Sequence, residues 1–102
     1  MATSLETLRG DARIGLANAT WPFAKLQIAP EQLVLQVKFL GTFTFTPDQV
    51  IKVAPFGIIP FFGKGVRIFH RVAGYPDKIV FWYLCANVRP LVAKIEACGY
   101  GT

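Results

Sequence analysis

The sequence predicts a mainly β domain with one C-terminal helix, a bent antiparallel β-sandwich or partly open barrel of about six or seven strands capped by that helix. Three observations lead there. Short segments between Ala19 and Leu84 alternate apolar and polar residues at the period of a half-buried strand, most cleanly in Thr42-Phe43-Thr44-Phe45-Thr46. Turn-forming clusters such as Pro47-Asp48 and Gly74-Tyr75-Pro76-Asp77 punctuate those segments. Near the end, Val88, Leu91, Ile95 and Cys98 fall at helical spacing, with Lys94 turned away.

A chain of 102 residues has room for one hydrophobic core. Residues 1–18 read as an N-terminal arm or short helix, because Leu5 and Leu8 have helical spacing after Ser4 while Gly10 and Gly15 interrupt anything longer. The domain itself is expected over 19–102. Its first strand runs through Trp21 to Ile28, with Pro22 at an edge or entry point. Ala29-Pro30-Glu31-Gln32 turns the chain into Leu33–Phe39, and Gly41 separates that strand from one in which Phe43 and Phe45 face one way and the threonines the other. Gln49–Ala54 is a further strand. In Val66–Val72 the core face carries Val66, Ile68, His70 and Val72, and the opposite face Arg67, Phe69 and Arg71. Lys78–Leu84 is apolar on both faces and needs cover on both, which the final helix is placed to supply. For that helix Asn87 is the expected N-cap, Pro90 suits the first turn and Gly99 the position beyond the end.

The composition, 53% hydrophobic and 17% charged, is that of a folded chain. A net charge of +5 favours anionic partners. The cations are scattered singly, however, from Lys25 and Lys38 through Arg71 and Lys78 to Arg89 and Lys94, so solvated surface charge is expected and a nucleic-acid groove is not. The longest apolar run, Ile79–Ala86, falls far short of the ~20 residues of a spanning helix, and no leader pattern opens the chain, so a cytoplasmic location is expected.

Cys85 and Cys98 are too far apart for a compact metal motif and read as reduced thiols. His70 is the only histidine and Ser4 the only serine, while the six acids stand mainly at turns, helix ends or the arm. These residues suggest no catalytic set, metal site or cofactor site. Trp21, Phe69, Trp82 and Tyr83 would suit base stacking only if gathered on a basic face, and core packing accounts for them at about 1.5–3 kcal/mol per large buried side chain.

The stretch Gly57 to Ile68 is the most suggestive segment. It is not a phosphate loop: Gly57 and Gly63 have the wrong spacing, Phe61 and Phe62 fill the cradle, and Gly65 stands where the hydroxyl residue is needed. Two readings stay open. As a tip, Ile58, Ile59, Phe61 and Phe62 would enter a membrane interface while Lys52, Lys64 and Arg67 meet anionic headgroups. As a flap, the same apolar residues would cover the open side of the sandwich or a second subunit.

The Ala29–Leu35 turn into a strand, the run Phe43–Val53 with its Pro-Asp turn, Lys64–His70, Lys78–Trp82 and a helix ending Cys98-Gly99-Tyr100 together resemble the pleckstrin-homology-like superfold. Small bacterial versions and the GRAM-like domain of glucosyltransferases and myotubularins belong to that superfold. The resemblance spans about Ala19 to Tyr100 and rests on pattern rather than on a signature motif. It implies about seven strands, of which Ile58–Phe62 would supply a short one, and a module that binds phosphoinositides, peptides or other proteins. Phosphoinositide binders of that superfold carry lysines and arginines around their first hairpin. Read as Lys25–Gln32, that hairpin has one lysine and Glu31 at the turn, which argues against headgroup binding there. The expectation is therefore a non-catalytic binding module acting through a protein partner or as a homo-oligomer. Peripheral binding of anionic membrane lipid through the 57–67 loop is the alternative.

Overall fold

Glycine placement decides how the sheet curls. The computed structural model describes residues 6–59, 63–83 and 88–101, and within them all side chains except those of 6, 20–22, 57–59, 63, 64 and 83. The strands are β1 (Glu6–Ile14), β2 (Ala17–Ile28), β3 (Leu33–Val37), β4 (Gly41–Phe45), β5 (Val50–Ile59), β6 (Gly63–His70) and β7 (Ile79–Tyr83), followed by one helix, α1 (Arg89–Ala97). They form a single antiparallel sheet in the order β4-β3-β2-β1-β7-β6-β5, curled into a half-barrel with α1 against its concave side.

The N-terminal expectation is corrected here: residues 6–14 are a strand at the centre of the sheet and not an arm or helix. Leu8, Gly10, Ala12 and Ile14 turn inward while Thr7, Arg9, Asp11 and Arg13 turn outward, the alternation of a half-buried strand. The glycines that suggested a broken helix have other tasks. Gly15, at φ +62, makes the tight turn into β2. Gly10 stands at a break in the register of β1 with β2, just before β1 takes on β7 along its other edge: its partner is Ala24, whereas Ala12 pairs with Ala19 on one edge and Phe81 on the other. A Cβ on Gly10 would lie 2.0 Å from the Trp82 carbonyl oxygen, so only glycine lets β7 approach.

Opposite that break, β2 residues 20–23 have no partner on β1. Pro22 lies there, past the end of the β3 pairing at Ala24, so β2 is locally an edge as expected and no ladder N–H is needed from it. The seventh strand is β1, and Ile58 and Ile59 simply continue β5.

The concave side holds Leu26, Ile28, Leu33, Leu35, Phe45, Ile68, Ile79 and Phe81, all fully buried; α1 adds Leu91, Val92 and Ile95, and Val88 joins them from the N-cap position. At about 25 cal/mol per Å² of apolar area this burial is the main stabilising term. Pro90 lies in the first turn of α1 and Gly99 follows it at φ +102, as expected; Asn87 lies outside the described residues. Beyond the helix, buried Tyr100 donates a 2.6 Å hydrogen bond to the Ala29 carbonyl, tying the C-terminal turn to the β2–β3 connection.

That bond carries a prediction. Burial pushes the Tyr100 phenol well above its ordinary value near ~10. A group whose folded pKa is raised contributes stability that is complete below the unfolded pKa and is lost as pH climbs past it. Wild-type protein should therefore lose stability above about pH 10, and Tyr100→Phe should flatten that alkaline limb. At neutral pH the variant should be weaker by about 1–3 kcal/mol, because the Ala29 carbonyl loses its donor. Denaturant melts at neutral and alkaline pH check both.

Candidate functional site

His70 is best placed first, because it was the only histidine available for chemistry. It faces the core as expected, 9% exposed. Its Nδ1 accepts from the Val72 N–H at 3.0 Å, so Nε2 carries the proton and donates to the Pro76 carbonyl at 2.9 Å. Both nitrogens are occupied by backbone. The ring packs against Phe45 and Tyr75, and Tyr75 in turn stacks edge-on to Phe43. The Tyr75 hydroxyl accepts from Thr44 N–H, covering the exposed edge of β4. His70 is thus part of the seam that closes the half-barrel.

The sequence-derived contact residues are only partly brought together. Lys52 and Arg67 meet over one ring, the Lys52 Nζ 5.0 Å and the Arg67 Cζ 4.5 Å from the centroid of Phe69. The Arg67 guanidinium also pairs with exposed Asp77 at 3.5 Å, a surface bridge worth at most about 1 kcal/mol. Ile58, Ile59 and Lys64 lie in β5 and β6, but their side chains, and Phe61 and Phe62 altogether, fall outside the described residues.

Phe69 and Trp82 are not core residues. They stand half-buried on the outer face with Phe56, whose ring meets Trp82 edge-on at 6.0 Å across Gly65. Together with the Arg67 stem they shield Val80, which is fully buried on that face, so side chains and not α1 cover the outer side of β7.

Sequence reasoning missed a second surface, on the outer face of β1–β4. Register puts Arg9 opposite Lys25, Lys25 opposite Gln36 and Gln36 opposite Thr42, so these side chains form one row across four strands. Two like charges directly opposite each other cost stability, and among the described residues neither Arg9 nor Lys25 has an ion-pair partner. The row floors an open trough of about 790 Å³ that no acidic residue among those described lines. Its rim is aromatic: Lys38 Nζ sits 5.2 Å from the Phe23 centroid and 5.4 Å from that of Phe39. Only Lys25 and Lys38 had drawn notice in the sequence, and as scattered charges.

The hairpin used to argue against headgroup binding is also reassigned. Lys25–Gln32 spans the β2–β3 connection, the second hairpin of the fold; the first is β1–β2, turning at Gly15-Leu16.

The class this architecture defines is a small, mainly β half-barrel with a C-terminal helix. No protein-family model matches the chain, and no curated protein matches it. No described helix is long and apolar enough to cross a membrane.

Proposed function

We propose that this chain is a non-catalytic binding module of the pleckstrin-homology-like type, and that the trough on the outer face of β1–β4 is its working surface for an anionic partner. The observation that supports this is the unpaired row Arg9-Lys25-Gln36-Thr42, every member of which can donate hydrogen bonds. Folding does not require two cations opposite each other, whereas an anionic ligand offsets their repulsion. Arginine, lysine, amide, hydroxyl and phenylalanine are recognition groups, and nothing among them acts as a nucleophile paired with a base.

Self-association, expected from the sequence, does not suit this face. A twofold contact through it would set Arg9, Lys25 and Lys38 of one copy against those of the other. Light scattering at high concentration is therefore expected to report no dimer that Lys25→Glu alters.

A charge-matched comparison tests the surface. Lys25→Glu and Lys94→Glu change the net charge equally, but only the first lies in the trough. Lys25→Glu is expected to weaken binding to polyglutamate by about tenfold more than Lys94→Glu, beyond the general charge effect. Equal losses would remove the trough from the account.

A further inference from the structure

The β3–β4 turn, Lys38-Phe39-Leu40, carries an oddity that packing does not explain. Leu40 N–H bonds back to the Val37 carbonyl at 3.0 Å, and Phe39 adopts φ +71. A positive φ at the third turn position is the type II pattern, a place where glycine or asparagine is favoured. Phe39 is the only non-glycine residue with positive φ among those described. A bulky side chain there strains the backbone. Apart from the Lys38 ammonium 5.4 Å from its ring, Phe39 receives no packing in return, because it is 90% exposed. Leu40 beside it is also exposed, and so, across the trough, is Phe23.

We infer that this turn is a membrane-interface wedge: Phe39 and Leu40 enter the apolar boundary of a bilayer whose anionic headgroups are met by Lys38, Lys25 and Arg9. The inference rests on the trough reading and names the partner of that same surface.

Three features of the chemistry select this occupant. First, the order of groups follows the depth profile of a lipid surface. The apolar residues stand at the apex of the turn, Lys38 is beside them, and Lys25 and Arg9 lie further back on β2 and β1. Second, among the described residues no acid lines the trough, so Arg9, Lys25 and Lys38 present positive charge to an anionic leaflet. Third, a strained turn presents Phe39 as a fixed projection, which lowers the ordering cost of insertion. A second copy is disfavoured by the like charges already noted. The surface is also distinct from the 57–67 loop to which the sequence had assigned lipid contact.

One cation supplies roughly 1 kcal/mol near an anionic surface, about a fivefold effect, and a single ring adds apolar burial. The protein should accordingly show modest, salt-sensitive and reversible association.

The test is sedimentation of the full chain with vesicles of phosphatidylcholine alone and of phosphatidylcholine with phosphatidylserine, at low and physiological salt. Wild type is expected on the serine-containing vesicles only, with binding falling as salt rises. Phe39→Asn removes the apolar wedge and suits the turn, because asparagine tolerates left-handed backbone. It should bind about tenfold or more weakly while melting at the wild-type temperature or above it. A merely structural Phe39 would give the opposite pair, a lower melt with binding intact. Lys25→Glu should lose vesicle binding while melting at the wild-type temperature or above it, since Lys25 has no ion-pair partner to lose among the described residues and its repulsion with Arg9 is removed. Failure of wild type to sediment with the anionic vesicles at low salt, or binding unaltered by Phe39→Asn, would overturn the wedge. If Lys25→Glu still loses polyglutamate selectively in that case, the trough survives with an acidic protein as its partner.

Discussion

Gly10→Ala is expected to destabilise the fold by roughly 3 kcal/mol, a large effect for one methyl group. The added Cβ would sit 2.0 Å from the Trp82 carbonyl oxygen and 3.1 Å from the Phe81 ring, so β7 must retreat by more than an ångström. The retreat acts on the joint between the two halves of the sheet, because β1 shifts its register with β2 at Gly10 and takes on β7 as its second neighbour just beyond it. Hydrogen exchange should show where the damage lies. Protection is expected to fall most at Asp11–Ile14 and Ile79–Trp82 and least in β3 and β4, which never touch that joint. Uniform loss along the chain, or no loss, would contradict the assignment of Gly10 to a close backbone approach.

Ile95→Asp should cost several kcal/mol or prevent folding altogether. Ile95 is fully buried on α1 within the core cluster, and among the described residues no lysine or arginine is buried to receive a carboxylate. Lys94→Asp, one residue earlier and exposed, should change stability by only about 0.5 kcal/mol. Thermal melts of the pair decide the matter, since equal midpoints would mean that α1 does not plug the half-barrel.

Why part of this architecture was legible and part was not follows from the range of each signal. Phe43 and Phe45 against Thr42 and Thr44, or Val66, Ile68 and His70 against Arg67 and Phe69, announce their faces through side-chain alternation within one strand. The closing helix is equally local: its apolar stripe, Pro90 and Gly99 all lie in one short segment. β1 was misread because Gly10 and Gly15 look like helix breakers in sequence, while their real tasks, a bulge and a turn, exist only once β7 and β2 are beside them. The alternation Leu8, Gly10, Ala12, Ile14 was present but weak, since two of its inward residues are too small to read as a core face.

The trough was hidden for a different reason. Arg9, Lys25, Gln36 and Thr42 become neighbours only through the register of three strand pairs, so each looks like a single scattered polar residue along the chain. Lys52 and Arg67 were found because they flank an apolar run that draws notice, and they do converge on Phe69. Phe39 had no sequence signal at all, because its φ is a property of the turn.

Amide chemical-shift mapping with polyglutamate tests the central claim most directly, because it compares the two cationic surfaces in one experiment. The account predicts that saturable shifts cluster in four strands at once, at Arg9, Lys25, Gln36 and Thr42, and extend to Lys38–Gly41. It predicts little change at Lys52, Arg67 and Phe69, where the Arg67 guanidinium is already paired with the Asp77 carboxylate. Shifts centred on Lys52 and Arg67, with Arg9 and Lys25 unmoved, would contradict it and return the working surface to the β5–β6 hairpin.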